Sequence, residues 1–169
     1  MSLFGNQTFN SLEDLLVNQL EDLYDAEKRI TKALPKMIDA ANSPNLKQAL
    51  QKHLTETQQQ VDRLERVFKQ INRTPERETC EAMKGLLREG EEMVSAEGAS
   101  DVKDAAIIAA AQRVEHYEIS GYGTARTFAQ RLGYADAALL LQNTLQEEVA
   151  ADKKLTEIAE SSVNVRAAR

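Results

Sequence analysis

Apolar residues recur at every third or fourth position along four long segments of this chain, and this spacing constrains the fold more than any other feature. Such a period places one apolar stripe along each helix. The first segment begins at Ser11, and Asp14 follows three residues later in the arrangement of a capping box. With 7 Gly and 3 Pro in 169 residues, the chain is poor in the residues that turns require. The pattern therefore predicts an all-α protein.

Short breaks divide the periodic segments into two pairs. Residues 42–45 separate a first helix from a second at about residues 46–71. Gly133 separates a third helix, at about residues 100–132, from a fourth at about residues 135–161. Because short connections make paired helices antiparallel neighbours, the chain is predicted to contain two helical hairpins.

The connection between the two hairpins is longer than either turn. Residues 74–100 form a crossover that contains its own short amphipathic segment at residues 78–97. Two hairpins joined by one long crossover make a ferritin-like four-helix bundle, here with a short extra helix in the crossover. We expect one domain over residues 1–169, with residues 1–10 as an N-terminal extension.

Charge and composition argue against several classes of partner. The formal net charge of -6 repels both the phosphates of nucleic acid and an anionic membrane surface, so neither is an expected partner. The start of the chain has neither the basic region nor the apolar stretch of a signal peptide. Cys80 is the only cysteine, which is typical of a reducing compartment. The expected location is the cytoplasm.

Charged residues occupy core positions on the first two helices. Glu27 stands where the apolar stripe of the first helix demands a core residue, so its carboxylate is predicted to point inward. On the second helix, His53 and Glu56 lie one turn apart at the inner face or its edge. A single histidine in such a position more often packs or forms a hydrogen bond than binds a metal.

The third and fourth helices repeat this arrangement. Glu115 and Glu118 share the inner face of the third helix, and Glu148 and Asp152 share that of the fourth. Folding each hairpin about its turn brings these acids to a similar depth in the bundle. His116 lies off this face and is expected to be peripheral.

A buried cluster of carboxylates must be neutralised. Burying one ionised carboxylate costs several kcal/mol, and bringing several together without cations forces protons onto most of them. The basic residues nearest in sequence mostly fall outside the inner stripes. Two hard or borderline cations would bind carboxylate oxygen and imidazole nitrogen directly, so a dinuclear metal site is predicted. Taken singly, each acid is more often a residue at the edge of the bundle, a member of a buried ion pair or the result of a misassigned register. Acids at matching depth on four helices favour the cluster.

The third helix also carries a family signature. Residues 114–124 read VEHYEISGYGT, and this motif closely resembles the bacterial YciF-like stress-protein family. The likeness extends over about residues 12–155 and includes shorter motifs at residues 25–28, 53–54, 132–134 and 147–148. The resemblance implies a ferritin-like fold and a homodimer, and the activity of that family is not established.

At the superfamily level the pattern is similar to rubrerythrin, whose di-iron site combines five acids with two histidines. The resemblance implies five ligand acids, namely Glu27, Glu56, Glu115, Glu118 and Glu148. The two histidines do not carry over, because Gln59 and Ala151 stand at the matching positions. His53 and Asp152 are nearby substitutes at altered spacing. Because of this departure, a degenerate metal site remains an alternative.

Three functions follow from these patterns. The leading hypothesis is a di-metal carboxylate protein that binds iron or manganese and acts on peroxide or oxygen during stress, without an organic cofactor. The alternative is a non-enzymatic homodimeric stress protein whose buried acids are protonated or hydrogen-bonded and whose role is interaction. Iron storage would require a large shell, whereas the family resemblance implies a dimer.

Overall fold

The computed structural model describes residues 8–76 and 78–169, and its long elements are all helices. Most of the predicted extension at residues 1–10 lies outside the described residues. The helices, in chain order, are α1 (Leu12–Ala40), α2 (Pro44–Gln70), α3 (Glu81–Ser95), α4 (Ser100–Arg131), α5 (Ala135–Ile158) and, after a π-helical turn at Ala159–Val163, the short α6 (Asn164–Ala167). The predicted all-α bundle is confirmed, and the helix predicted in the crossover is α3.

The helix ends follow from local sequence. At the start of α1 the amide of Asp14 donates to Ser11 Oγ at 3.1 Å, and the amide of Ser11 donates to Asp14 Oδ2 at 3.0 Å, which completes the predicted capping box. Pro44 occupies the first turn of α2, where no amide hydrogen is needed. Gly133 adopts a φ of 82° between α4 and α5, a conformation that favours glycine. Both hairpin turns are therefore encoded locally.

A buried carboxylate ties the first hairpin to the second. Asp104, in the second turn of α4, is fully buried. Its Oδ1 accepts the amide of Asn42 at 2.7 Å, and its Oδ2 accepts the amide of Ser43 at 2.7 Å. Because both oxygens accept backbone donors from the α1–α2 turn, this aspartate holds that turn against α4.

Four long helices form the bundle. Helix α1 packs against α2 and α4, α5 packs against α4 and α2, and α3 lies over α1 and α4. Gly121 allows α4 to approach α1 closely, because a Cβ atom at this position would lie 2.8 Å from Leu23 Cδ2. Among the described residues, no helix is long and apolar enough to cross a membrane.

The core consists of two apolar parts with a polar layer between them. Each bundle helix contributes to the first part, for example through Ile30, Leu50, Ile108 and Leu155. Each also contributes to the second part, for example through Leu20, Leu64, Ala125 and Leu141. Between these positions lies the buried polar layer, which comprises Glu27, His53, Thr57, Gln60, Glu115, Glu118, Thr144 and Glu148. The bundle thus positions a set of acids at its middle, shielded by apolar packing on either side.

Candidate metal centre

Four side chains of the buried polar layer converge on one point. His53 of α2, Glu115 and Glu118 of α4 and Glu148 of α5 each offer a ligand atom, and these atoms lie within 4.8 Å of one another. Glu27 of α1 is fully buried beside them, within hydrogen-bonding reach of Glu118. The inward orientation predicted for Glu27, Glu115, Glu118 and Glu148 is confirmed by their burial. All four bundle helices therefore contribute to one cluster.

Ligand atoms without a hydrogen-bond partner concentrate in this layer. Within the described residues, every buried side-chain nitrogen or oxygen that lacks a partner belongs to the layer, except Arg126 Nε. The atoms of the layer are Glu27 Oε2, His53 Nδ1 and Nε2, Gln60 Oε1, Glu115 Oε2, Glu118 Oε1 and Oε2, and Glu148 Oε2. Buried polar atoms normally find partners, and each one left without costs about 1–3 kcal/mol. The layer therefore contains a buried His and Glu group that could bind a metal ion.

The electrostatics of the cluster point the same way. Burial raises the pKa of Glu118 well above its ordinary value, and the negative charge of Glu27 raises it further. Burial and the charge of Glu148 raise the pKa of Glu115 and of Glu27 in the same manner. Burial also raises the pKa of Glu148, to about 7. Without a cation the cluster therefore holds protons at neutral pH.

His53 is uncharged in this setting. Burial lowers the pKa of its imidazole to about 4, and the positive charge of Lys52 contributes in the same direction. Its Nε2 lies 3.3 Å from Glu115 Oε1, but at neutral pH this contact is not an ion pair because the ring carries no charge. A neutral imidazole has a free lone pair, which is the form that binds a metal ion.

A second set of side chains orients the carboxylates. Gln60 Nε2 donates to Glu148 Oε1 at 2.5 Å and to Glu147 Oε2 at 3.0 Å, and Arg63 donates to both oxygens of Glu147 at 2.7 and 2.8 Å. On the opposite side, the Tyr122 hydroxyl donates to Glu27 Oε1. No role was predicted for Gln60, which the structure places in the buried polar layer. A polar side chain at a core position was the signal for one.

Two of the predicted ligands lie at the edge of the cluster. The Glu56 side chain is 20% exposed and accepts a hydrogen bond from Lys52. Asp152 is 23% exposed on its side chain, and its Oδ1 accepts from Gln112 Nε2 at 2.9 Å. His116 Nε2 lies 3.3 Å from the same oxygen, and the 69% exposure of the His116 side chain agrees with its predicted peripheral position.

A wide surface groove lies away from this cluster. It encloses about 1240 Å³ between α1, α3 and the facing part of α4, and none of the residues that line it belongs to the buried polar layer. A much smaller cavity, of about 50 Å³, does reach the layer, where His53 and Glu115 form part of its wall. The cluster therefore borders the smaller of these two cavities and not the larger one.

The donor set fits a hard or borderline metal ion. Four carboxylates and one neutral imidazole surround the centre, and such oxygen and nitrogen donors suit iron, manganese or similar ions. Within residues 8–76 and 78–169, no Lys or Arg forms an ion pair with Glu27, Glu115, Glu118 or Glu148. The fold and site define a ferritin-like four-helix bundle with a buried carboxylate and histidine group that could hold a metal.

Comparisons with known proteins place the chain more narrowly. Residues 11–168 match the family described as a domain of unknown function, DUF892. The chain is 46% identical over 158 residues to protein YciF of Escherichia coli strain K12, and the match covers 93% of this chain and 95% of the relative. The chain therefore belongs to this family of YciF-like stress proteins.

Solved structures support the same placement. The crystal structure of the stress protein YciF of Escherichia coli matches with a TM-score of 0.89 at 45% identity, covering 92% of this chain and 99% of the other. YcfI of Rhodopseudomonas palustris matches with a TM-score of 0.86 at 46% identity, covering 90% and 98%. A protein of Xanthomonas campestris, at 22% identity and a TM-score of 0.74 over 94% and 98%, shares the fold.

Proposed function

We propose that this chain is a metal-dependent stress protein whose buried polar layer binds two iron or manganese ions and acts on peroxide or oxygen. The observation that supports the proposal is the concentration of buried ligand atoms without partners at one point of the bundle. Glu27, His53, Glu115, Glu118 and Glu148 would hold the ions. Glu56 and Asp152, at the edge of the cluster, would complete the shell of the second ion after a side-chain movement.

Charge balance favours two divalent ions over one. Four ionised carboxylates would carry a charge of −4 in a layer where His53 is neutral. Two divalent cations would cancel that charge, whereas a single divalent ion would leave about two buried negative charges that need protons. Binding would release the protons that the raised pKa values of Glu115 and Glu118 retain in the metal-free protein.

The residues of the chain have separate tasks in this proposal. Gln60 fixes one oxygen of Glu148, and Tyr122 fixes one oxygen of Glu27, so that the remaining oxygens point into the cluster. The apolar parts of the core exclude bulk water from both sides. Bound iron or manganese would supply the change of oxidation state that the reduction of peroxide or oxygen requires.

A second candidate function is favoured by the raised carboxyl pKa values. With Glu27, Glu115 and Glu118 protonated, the layer carries little charge even without a metal ion. Together with Gln59 and Ala151 at the two positions where the related di-iron pattern has histidine, this supports a degenerate site. The chain would then be a non-enzymatic homodimer that acts through protein interaction.

Metal content separates the two candidates. Protein purified without chelator or affinity metal is analysed by plasma mass spectrometry beside the double variant Glu118→Gln, Glu148→Gln. About two iron or manganese atoms per chain in the wild type, and loss of both in the variant, would support the metal site, and peroxide consumption would then be assayed on the loaded protein. Wild type that stays free of both metals after reconstitution would reject this function and leave the interaction protein.

We further propose that the chain is a cytoplasmic homodimer, as its resemblance to the YciF-like family implies. Light scattering coupled to size-exclusion chromatography measures the mass of the assembly directly, and about 38 kDa is expected from twice the chain mass of 18.8 kDa. A mass of many chains would instead favour the shell needed for iron storage, and a mass of one chain would contradict both assemblies.

A further inference from the structure

A narrow cavity between α2 and α5 is lined both by residues of the buried polar layer and by exposed residues. It encloses about 50 Å³, and its inner wall includes His53 and Glu115 of the cluster. Its outer wall includes Lys52 and Lys154, whose side chains are 71% and 59% exposed. A buried water needs roughly 10–15 Å³ of such space. The cavity therefore has room for a molecule of a few heavy atoms and leads directly to two donors of the cluster.

Small side chains keep this cavity open. Ala49 of α2 and Ala150 and Ala151 of α5 form its walls. Ala151 lies three residues after Glu148, at a position where the related di-iron pattern has a histidine. A long side chain at residue 151 would project into the space that the alanine methyl group leaves open. The departure from the expected pattern thus creates access to the cluster.

The charges at the mouth select what can enter. Lys52 and Lys154 place two positive groups at the cavity, and the carboxylate of Glu56 accepts a hydrogen bond from Lys52. Lys154 pairs with Glu157, at 3.3 Å, on the exposed face of α5. At the mouth, two ammonium groups stand against the one carboxylate of Glu56, and this excess of positive charge disfavours a free metal cation and favours a small anion or its neutral conjugate acid.

We propose that this cavity is the site through which a small anion or its neutral conjugate acid, of the size of peroxide, reaches the metal centre at His53 and Glu115. The inference rests on the proposed function, because it requires a metal ion in the buried polar layer. It adds the direction of approach, the size limit of the ligand and the role of Ala151. Ala151 and Lys154 act by shaping and charging the cavity, and neither is a metal ligand.

Azide is the probe, because it is a small anion whose binding to ferric iron changes the visible absorption. Iron-loaded, air-oxidised wild type is titrated with azide beside Ala151→Leu, which fills the cavity, and Ala135→Leu, which adds the same side chain at an exposed site at the start of α5. We expect Ala151→Leu to keep its iron and to bind azide at least about tenfold more weakly, while Ala135→Leu behaves as wild type. Equal azide affinity in Ala151→Leu and wild type would overturn this inference and leave the proposed function standing.

A surface variant covers the case in which Ala151→Leu loses iron. Lys154→Met removes a positive charge at the mouth without entering the core, and Lys153→Met is its exposed neighbour that does not line the cavity. Azide affinity is expected to fall about threefold in Lys154→Met only, at low salt. Equal affinities in the two lysine variants would overturn the inference. Wild type that takes up no iron or manganese would overturn the proposed function and this inference with it.

Discussion

Two buried carboxylate groups in this protein have opposite surroundings. Asp104 is fully buried, and each of its oxygens accepts a backbone amide at 2.7 Å. Glu118 is 1% exposed, yet among the described residues no amide, hydroxyl or basic group donates to its oxygens, and its neighbours are further acids, of which Glu27 lies within hydrogen-bonding reach. Backbone amides satisfy the first carboxylate completely, whereas the second belongs to a buried His and Glu group that could hold a metal.

This difference separates an acid with a structural role from one that could hold a metal. Evolution of the fold alone would favour partners for every buried oxygen, because each orphaned atom costs about 1–3 kcal/mol. The turn at Asn42 and Ser43 shows that this chain can provide such partners. Among the described residues, one oxygen of Glu115, both oxygens of Glu118 and one oxygen of Glu148 lack such partners, so this is a property of one layer and not of the bundle as a whole.

The largest expected effect concerns the satisfied carboxylate. Asp104→Ala removes two charge-assisted hydrogen bonds and leaves the amides of Asn42 and Ser43 without their acceptor, which should lower the free energy of unfolding by about 3–5 kcal/mol with or without metal. Urea unfolding measures the loss. The control is Asp101→Ala, whose partner Arg166 is exposed and which should cost less than about 1 kcal/mol. Similar losses in both variants would remove the basis of the comparison.

The carboxylates of the buried polar layer should instead affect the stability that the protein gains when it binds a metal ion. Manganese at about 100 times its dissociation constant should stabilise the wild type by about 2.7 kcal/mol, because it binds the folded state alone. The double variant Glu118→Gln, Glu148→Gln should lose this stabilisation and still fold in the absence of metal. The free manganese signal in electron paramagnetic resonance gives the dissociation constant, and urea unfolding gives the gain. A gain that persists in the double variant would locate the metal elsewhere.

Much of the fold was readable from sequence because its signals are local. The capping box at Ser11 and Asp14 and the turn at Gly133 depend on residues close in the chain. The burial of Glu27 also followed from its position on the stripe of α1. Each of these features depends on the sequence of one helix or one turn, so local sequence patterns predict it directly.

The parts that sequence did not supply depend on contacts between distant segments. Asp104 accepts amides from residues about 60 positions earlier, and no periodicity indicates that pairing. Gln60 reaches Glu148 across the bundle, 88 positions away. Glu56 was predicted at the inner face or its edge. In the structure its carboxylate lies at the edge, where it accepts a hydrogen bond from Lys52. For a residue at the border of an apolar stripe, the direction of the side chain depends on contacts with neighbouring side chains. The periodicity of one helix contains no information about those contacts.

The acidity of the layer should also appear in the pH dependence of the metal-free protein. The folded-state pKa of Glu115, Glu118 and Glu148 is raised, so their contribution to stability is full below their ordinary pKa and is lost as the pH rises through the folded values. Between about pH 7 and 8, each acid that remains protonated in the folded state lowers the free energy of unfolding by about 1.4 kcal/mol per pH unit.

The histidine of the layer does not obscure this trend. The folded-state pKa of His53 is lowered to about 4, so its contribution is full above the ordinary histidine pKa and is lost only as the pH falls towards 4. Urea unfolding at pH 7 and pH 8 in the presence of chelator should therefore show a decline of at least about 1 kcal/mol, which Asp104→Ala retains and Glu118→Gln reduces. A flat profile would mean that the acids are ionised and neutralised within the chain.

The smallest expected effect separates one metal ion from two. Glu56 forms an exposed pair with Lys52 one turn earlier, and such a pair contributes about 0.3–0.5 kcal/mol, so Glu56→Gln should hardly change metal-free stability. The four converging donors suffice for one ion, whereas a second ion would need the carboxylate of Glu56 to leave Lys52.

Glu56→Gln is therefore expected to lower manganese binding from about two ions to about one per chain, and Lys52→Met, which frees the Glu56 carboxylate, should tighten the weaker of the two sites. Both are measured by titration with electron paramagnetic resonance detection, with Gln59→Ala as an exposed control on the same helix. If Glu56→Gln keeps two ions, Asp152 becomes the remaining edge carboxylate able to serve the second ion, since the contacts of its Oδ1 are with Gln112 and with the exposed His116. If the wild type itself binds one ion, the unsatisfied layer is a mononuclear site, and its surplus carboxylates keep their protons.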